Sequence, residues 1–145
     1  QLVNAVRGTG ATNVIMLGGL RYANALAQWL AYKPADPAGN LAASWHVYSF
    51  NACSDLPCYD GTAGPVAQQV PLIAGEIGEN DCGHGFIDPL MAWLDAHGQG
   101  YLGWTWDTWD CQNGPALIAD YGGSATQTFG QGFHDHLAAL VAASS

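Results

Sequence analysis

The chain has 145 residues, of which 49% are hydrophobic and only 10% are charged, so we expect one globular domain over residues 1–145. The formal net charge is −9, with three basic residues, which disfavours a nucleic-acid partner because phosphate contacts need clustered Lys and Arg. No apolar run approaches the roughly 18–20 residues of a membrane span, and residues 1–4 lack the features of a signal peptide. We therefore expect no membrane segment, and a chain that is mature, trimmed or cut from something longer.

Short apolar runs alternate with helical patterns along the whole chain. The runs are apolar at consecutive positions, which is typical of strands covered on both faces. The helical segments carry apolar residues at i, i+3 and i+4, as at Leu26, Trp29 and Leu30. In chain order the patterns predict a helix over 1–10, a strand over 13–17, a helix over 22–32, a strand over 43–50, a short helix ending near 69, a strand over 70–75, a helix over 86–97, a strand over 100–105 and a helix over 129–142.

This alternation of strand and helix, four times over after an opening helix, predicts an α/β fold with a four-stranded parallel (βα)4 sheet. No Gly-x-Gly-x-x-Gly follows the first strand, and no Gly-x4-Gly-Lys-Ser/Thr is present. Neither a dinucleotide site nor a phosphate-binding loop is therefore expected, and the sequence indicates no cofactor.

The chain has four cysteines, Cys53, Cys58, Cys82 and Cys111. They form no Cys-x2-Cys pair, so the usual zinc spacing is absent and no metal site is expected. The even count and the Gly/Pro/Asp-rich surroundings favour two disulfides over free buried thiols, and with them a secreted, extracellular protein. Pairing Cys53 with Cys58 would close a small loop and pairing Cys82 with Cys111 would tie two longer ones, although four cysteines permit three pairings.

Polar and aromatic side chains gather at the carboxyl ends of the four predicted strands. In strand order they are Arg21, then His46 with Tyr48, then Glu76, and then Trp104. His46 and Tyr48 are alternate residues of one strand and therefore share a face. Because α/β folds bind ligands at this edge of the sheet, the convergence predicts a binding site there, with Arg21 among the substrate contacts.

Glu76 is the strongest candidate for chemistry. It follows a buried strand, where a carboxylate is costly unless it is paired or functional. The alternative is a structural acid that caps the next helix or accepts loop N–H bonds. Glu79 is more typical of a loop or helix-start acid, and Asp88 of an N-cap before Pro89.

His46 and Tyr48 also allow two interpretations. A tyrosine hydroxyl can donate a hydrogen bond to a nearby carboxylate and hold it ionised, which favours a functional pair with Glu76. Both side chains can instead belong to the core with satisfied polar tips, since aromatic residues are common in strands.

The chain is rich in tryptophan, and Trp104, Trp106 and Trp109 cluster at the end of the fourth strand. An indole plane can cover the face of a sugar ring while carboxylates and amides bind its edge. We therefore expect these three to bind substrate, although Trp106 and Trp109 can equally be core residues. Trp29 and Trp93 lie in predicted helices and are expected in the core.

Three segments at the strand ends carry a family resemblance. They are Trp-His-Val-Tyr-Ser-Phe at 45–50, Pro-Leu-Ile-Ala-Gly-Glu-Ile-Gly at 71–78 and Tyr-Leu-Gly-Trp-Thr-Trp at 101–106. Together they resemble glycoside hydrolase family 5, the large cellulase and mannanase family of retaining enzymes. The resemblance implies that these are the last strands of a (β/α)8 barrel and that residues 1–145 are its C-terminal half.

The resemblance also implies roles for four residues. Glu76 would be the nucleophile, Tyr48 its hydrogen-bond partner, His46 a contact of the substrate or of the acid/base, and Trp104 the stacking platform. The implied activity is that of a retaining endo-β-1,4-glucanase on β-glucan or a related polysaccharide, with mannan and other substrates left open.

One element of the family pattern is missing. The family's acid/base is a Glu that follows Asn at the end of the fourth strand, and no Asn-Glu occurs here. Retaining hydrolysis needs two carboxyl groups roughly 5–5.5 Å apart. The resemblance therefore implies that strands one to four are absent and that full activity requires the acid/base half.

A half-barrel would leave its first and last strands as open apolar edges, which invite pairing. One remedy is a twofold dimer with residues 13–17 of one chain beside residues 100–105 of the other, and a second is association with a complementary half-barrel. We therefore expect the isolated chain not to be a stable monomer.

Other functions are compatible with the same residues. The chain can be a non-catalytic carbohydrate-binding half-barrel or an inactive truncated fragment. A flavodoxin-like ligand binder fits the alternation of strands and helices but not the tryptophan-rich strand ends.

Overall fold

A computed structural model describes residues 1–111 and 113–144. Within that part, four strands form one sheet in sequence order, and each strand is parallel to its neighbour. The strands are β1 (Ile15–Gly18), β2 (Leu41–Tyr48), β3 (Leu72–Gly78) and β4 (Gly100–Gly103). The predicted α/β fold with four parallel strands in one sheet is confirmed.

The helices agree with the predicted pattern except over residues 22–32 and in the short helix predicted to end near residue 69. They are α1 (Leu2–Gly8), α2 (Trp29–Tyr32), α3 (Leu56–Cys58), α4 (Gly64–Ala67), α5 (Ile87–Ala96) and α6 (Phe129–Ala143), with a π-helical turn (Tyr59–Ala63) between α3 and α4. The short helix predicted to end near 69 is thus a series of turns that ends at Ala67. None of the helices in the described ranges is long and apolar enough to cross a membrane.

The core lies against the outer face of the sheet. On β2, Trp45 and Val47 are fully buried, and the helix tryptophans Trp29 and Trp93 are buried as predicted. Trp45 packs edge-on against Tyr59 and Trp93, with ring centroids 5.2 and 6.1 Å apart. Because truncating a buried aromatic side chain typically costs about 3–5 kcal/mol, this cluster holds β2 firmly and fixes the side chains on its opposite face.

The predicted helix over 22–32 is wrong over its first two turns, and only α2 is helical. Residues 21–23 have φ between 54° and 65°, a left-handed conformation that no right-handed helix contains. The buried Asn24 side chain donates to the carbonyl oxygens of His46 and Cys53 at 2.9 and 3.1 Å. These non-local bonds hold the segment as a turn against β2, and apolar spacing alone does not reveal them.

The start of α5 shows that the prediction of Asp88 as an N-cap is wrong. Asp88 is the second residue of the helix and not its N-cap. The Glu79 carboxylate instead accepts hydrogen bonds at Oε2 from the backbone N–H groups of Phe86 and Ile87, at 2.7 and 2.8 Å. A carboxylate at this position satisfies N–H groups that have no partner within the helix. Glu79 is therefore a helix-start acid, as its sequence context indicates.

An ion pair ties α1 to the loop that precedes β2. Arg7 donates from Nε and Nη2 to the two carboxylate oxygens of Asp36 at 2.8 and 2.9 Å. Its Nη1 donates to the carbonyl oxygens of Ala11 and Asn13 at 2.9 Å. The bidentate hydrogen bonds from the guanidinium hold the pKa of the Asp36 carboxyl well below its usual range. The pair therefore keeps the opening helix beside the start of the sheet.

Candidate active site

An irregularity in β3 decides which side chains face the inner side of the sheet. The pairing of β2 with β3 skips Gly75, and Glu76 then lies opposite His46. One extra residue in a strand switches the face to which the following residues point. Ala74 and Ile77 are fully buried on the outer face, and in a regular strand Glu76 would share the face of Ala74. The bulge therefore turns Glu76 inward, and this residue lies within β3 rather than beyond its end.

Two side chains of β2 contact Glu76. The Tyr48 hydroxyl donates a hydrogen bond of 2.6 Å to Glu76 Oε2, and His46 Nδ1 lies 3.5 Å from the same oxygen. Burial and the adjacent carboxylate raise the pKa of the Tyr48 hydroxyl, so this group stays a hydrogen-bond donor at neutral and alkaline pH. The structure thus brings Glu76, Tyr48 and His46 together in one partly exposed group.

Two asparagines fix the end of β2 that carries this group. The side-chain oxygen of Asn51 accepts a hydrogen bond from the backbone N–H of Tyr48 at 2.7 Å. The side-chain nitrogen of Asn24 donates to the carbonyl oxygen of His46 at 2.9 Å. Asn51 follows a strand, where asparagine is typical of a turn, whereas no pattern in the sequence indicates that Asn24 is buried beneath the site.

A cleft of about 360 Å³ opens beside Tyr48 at the carboxyl ends of β2, β3 and β4. Trp104 lines it and is 39% exposed, which leaves part of its indole surface available to a ligand. The cleft combines aromatic rings with side-chain amides, a composition that suits a neutral polar ligand. Its main lining side chains are Tyr48, Phe50, Asn80, Trp104, Trp109 and Asn113.

Two of the predicted substrate contacts lie outside this cleft. Trp106 is exposed but is not among the residues that line it. Arg21 is exposed in the turn after β1, two strands away from Glu76 in the sheet. The structure therefore places Trp104 and Trp109 in the cleft and leaves Trp106 and Arg21 apart from it.

Both favoured disulfides are present, Cys53–Cys58 and Cys82–Cys111. The second joins the loop after β3 to the loop after β4, two segments that flank the cleft. Thr128 strengthens this connection, because its N–H and hydroxyl donate to the carbonyl oxygen of Cys82 at 3.2 and 2.7 Å. Across residues 1–111 and 113–144, no group of three or more His, Cys, Asp or Glu residues is arranged to hold a metal ion.

Glu79, the other glutamate near the end of β3, is engaged elsewhere. Its side chain is 1% exposed, and one oxygen caps α5 as described above. Burial, with a further contribution from the neighbouring Asp81 carboxyl, raises the pKa of Glu79. A carboxyl shielded from solvent and used as a helix cap is not free to exchange protons with a ligand in the cleft.

Comparison with known families gives a match over most of the chain. Residues 1–115 match the sequence model of the family described as Cellulase (glycosyl hydrolase family 5). None of the curated proteins matches the chain.

Solved structures share the fold. The chain is similar to a beta-glucanase from Saccharophagus degradans in complex with cellotetraose, with a TM-score of 0.69, 20% identity and coverage of 93% of this chain and 45% of that one. It is similar to an endo-beta-1,4-glucanase from Xanthomonas axonopodis pv. citri, with a TM-score of 0.62, 19% identity and coverage of 88% and 49%. A protein from Cytophaga hutchinsonii matches with a TM-score of 0.73, 16% identity and coverage of 94% and 47%. At these identities the likeness shows the fold, and the chain spans about half the length of the structures it matches.

Proposed function

This chain belongs to glycosyl hydrolase family 5, the cellulase family, and from that premise we propose that it is the nucleophile-bearing half of a retaining β-glucanase. One observation carries the proposal. The Glu76 carboxylate faces the inner side of the sheet, accepts a 2.6 Å hydrogen bond from Tyr48 and lies next to an aromatic cleft. A carboxylate that is positioned by a hydrogen bond beside a cleft suited to a sugar is what the first step of retaining hydrolysis requires.

The proposed reaction forms and then breaks a bond to Glu76. Its carboxylate attacks the anomeric carbon of the bound sugar while the bond from that carbon to the leaving oxygen breaks, giving a glycosyl ester. A second carboxyl group donates a proton to the leaving oxygen, then takes a proton from the water that attacks the anomeric carbon and releases Glu76. Tyr48 stabilises the carboxylate before the attack and again on its release, and His46 contacts the substrate or the acid/base.

The proposed substrate is a β-linked glucan. The Trp104 indole would cover one face of the sugar before the scissile bond, and the amides of the cleft would bind hydroxyl groups. The Saccharophagus degradans structure contains cellotetraose, which supports a cello-oligosaccharide as the ligand. The two disulfides support a secreted location, because such bonds persist in oxidising compartments.

The second carboxyl is proposed to come from a complementary half-barrel. Glu79 cannot supply it, since its carboxylate is buried and caps α5. The chain spans about half the length of the glucanases whose fold it shares, so a segment of similar size would complete the barrel. The family resemblance implies that the acid/base belongs to such a segment.

The edges of the sheet are suited to such a partner. In the described part of the chain, β1 and β4 each pair on one side only, and unpaired strand edges invite association. Leu102 on β4 and Met16 on β1 are 61% and 43% exposed. A cavity of about 860 Å³, lined largely by apolar side chains, lies along β1 beside α1 and α2. Alternatively, a second copy of this chain could pair with these edges to form a twofold dimer.

Light scattering coupled to size-exclusion chromatography tests the association. We expect the chain alone to form oligomers at low micromolar concentration, and to form a one-to-one complex when a family N-terminal half-barrel is added. A stable monomer that does not bind the added N-terminal half-barrel would contradict the proposed association. A dimer of this chain that persists when the N-terminal half-barrel is added would favour the twofold arrangement.

An activated substrate tests the nucleophile without the second carboxyl. Dinitrophenolate leaves without a proton, so dinitrophenyl β-cellobioside needs only the nucleophile for the first step. We expect wild type to release up to one dinitrophenolate per chain in a rapid burst, and Glu76→Gln to release none. Glu79→Gln is the matched control and should retain the burst. A burst of equal size from Glu76→Gln would overturn the assignment.

The exposed aromatic cleft also favours a second function, carbohydrate binding without catalysis. In that case wild type would bind cello-oligosaccharides, show no dinitrophenolate burst and keep its affinity in the Glu76→Gln variant.

A further inference from the structure

We propose that Cys82 and Cys111 are positioning residues, whose disulfide fixes the loop of residues 106–114 to the loop after β3 and thereby sets the width of the cleft. Cys82 is the anchored end of this cross-link, and Cys111 lies in the loop that the cross-link restrains. The effect on substrate binding rests on the proposed function, because it assumes that the cleft binds a glycan.

Residues 106–114 form a loop with a closed neck. The N–H of Thr105 donates to the carbonyl oxygen of Pro115 at 2.6 Å, so the two ends of the loop lie side by side. The N–H of Trp104 donates to the carbonyl oxygen of Ile77 on β3 at 2.9 Å. Compact surface loops with adjacent ends are typically positioned by their base and by their own packing. The base of this loop is therefore fixed to the sheet.

The far part of the loop is held to the rest of the molecule by the disulfide. The hydrogen bonds of Asn113 are local, since its N–H and its Nδ2 both donate to Asp110 Oδ1, at 3.1 and 2.8 Å. Such bonds shape the loop but do not determine how far it lies from the other loops around the cleft. Cys111, by contrast, is bonded to Cys82, 29 residues earlier in the chain.

Cys82 is held from several directions. Its φ of 69° is a left-handed conformation, which a residue other than glycine keeps only where its surroundings impose it. Thr128, the residue before α6, donates from its N–H and its hydroxyl to the carbonyl oxygen of Cys82 at 3.2 and 2.7 Å. The N–H of Gly83 donates to the Asp81 carboxylate at 2.9 Å. Cys82 is therefore a firm anchor for Cys111.

The restrained loop supplies part of the cleft. Trp109 and Asn113 line the cleft from this loop, and each lies two residues from Cys111 in the sequence. Tyr48 and Phe50 line it from the end of β2. Because the loop is attached to the sheet at its neck, release of its far part would change the distance between these two sides. A lining that is fixed in advance lowers the entropy cost of binding a ligand.

Hydrogen exchange measured by mass spectrometry tests the cross-link without any ligand. Cys82→Ser combined with Cys111→Ser should speed exchange in peptides from residues 106–114 by roughly 10-fold or more, because local opening is then no longer restrained. Peptides from β2 and β3 should exchange as in wild type. Cys53→Ser combined with Cys58→Ser removes the other disulfide and is the matched control. It should leave the exchange of residues 106–114 unchanged.

Partial reduction repeats the test on wild type. Cys53 is buried, whereas Cys82 and Cys111 are partly exposed, so mild dithiothreitol should open the Cys82–Cys111 bond first. Alkylation of the freed thiols then marks the chains in which this bond is open. Peptides with alkylated Cys111 should show the same faster exchange as the double variant, which separates the effect of the bond from any effect of the substitutions on folding.

The burst with dinitrophenyl β-cellobioside tests the effect on the cleft. Glu76 and Tyr48 lie on β3 and β2 and not in the loop, so the limiting burst rate of the Cys82→Ser, Cys111→Ser variant should stay within about threefold of wild type. The substrate concentration that gives half of this rate should rise roughly 5- to 50-fold, because the loop must then be ordered during binding. A general loss of stability would not produce this split.

Two outcomes would overturn the proposal. Unchanged exchange of residues 106–114 in the double variant and in reduced wild type would show that the disulfide does not restrain the loop. Faster exchange with an unchanged half-saturating concentration would show that the loop does not set the width of the cleft. If wild type gives no burst, the nucleophile assignment fails, and the affinity for cellotetraose, measured by titration calorimetry, replaces the half-saturating concentration in the same comparison.

Discussion

The Tyr48 hydroxyl reaches Glu76 diagonally across two strands. Tyr48 is paired in register with Gly78 and not with Glu76, yet it donates a 2.6 Å hydrogen bond to Glu76 Oε2. The ring passes over Gly78, where an added Cβ would lie 3.1 Å from it. The contact therefore depends on three features together, namely the bulge at Gly75, the small residue at Gly78 and the end of β2.

Removing the Tyr48 hydroxyl should slow the first chemical step. Tyr48→Phe takes away a hydrogen bond to a charged acceptor, which is worth about 1.5–3 kcal/mol, so we expect a roughly 10- to 150-fold slower burst with dinitrophenyl β-cellobioside. The rate of the dinitrophenolate burst is measured by stopped-flow absorbance. Tyr101→Phe, which removes a hydroxyl bonded to Asp95 away from the site, is the matched control. Equal loss of rate in both variants would point to a general effect on folding.

A methyl group at position 78 should displace the Tyr48 ring. In Gly78→Ala the new Cβ would lie 3.0 to 3.2 Å from Pro115, Tyr48 and the carbonyl oxygen of Trp104. We expect a loss of about 1–3 kcal/mol in the free energy of unfolding, as for overpacking in a core, together with a slower burst. Gly75→Ala is the control, since its nearest contacts are an ordinary 3.5 Å and longer. Chemical denaturation that finds both variants equal to wild type would contradict this view of the strand.

Glu79 should make stability depend on pH. Burial raises the pKa of Glu79 above the ordinary glutamate value of about 4.3. The folded state then holds the proton more tightly than the unfolded chain, so this contribution to stability is full below about pH 4 and is lost as the pH rises through the raised pKa. Glu79→Gln keeps an acceptor for the N–H groups of Phe86 and Ile87 but cannot ionise. Its unfolding temperature should therefore fall less than that of wild type between about pH 4 and pH 8.

A second substitution separates the proton from the hydrogen bonds. Relative to Glu79→Gln, which cannot titrate either, Glu79→Ala leaves two N–H groups at the start of α5 without their acceptor and should cost about 1–3 kcal/mol at every pH. Thermal unfolding monitored by circular dichroism gives both quantities. An identical pH slope in wild type and Glu79→Gln would show that Glu79 is not the group responsible.

Much of the fold is predictable because its strands and helices follow from the local spacing of apolar residues. Continuous apolar runs predict all four strands, and the helical spacing of apolar residues predicts α5 and α6 to within one residue at each end. The candidate group of His46, Tyr48 and Glu76 follows from strand alternation and from the position of a lone carboxylate at the end of a buried strand.

The remaining features depend on contacts between residues far apart in sequence. The turn at residues 21–23 is held by Asn24 through bonds to β2 and to Cys53, so the apolar spacing that follows it predicted a helix that is too long. The bulge at Gly75 is visible only when β2 and β3 are aligned. The positions of the Trp106 and Arg21 side chains depend on the conformations of the loops after β4 and β1, which the amino-acid composition of these loops does not determine.

A covalent trap is the most direct test of the proposal that Glu76 is the nucleophile. A dinitrophenyl 2-fluoro-β-cellobioside reacts in the first step, while its fluorine slows release of the sugar so that the glycosyl ester accumulates. Mass spectrometry of the digested protein should find one 2-fluorocellobiosyl group on the peptide that contains Glu76, and none in Glu76→Gln. A sugar group on any other residue, or an equal yield in Glu76→Gln, would contradict the claim.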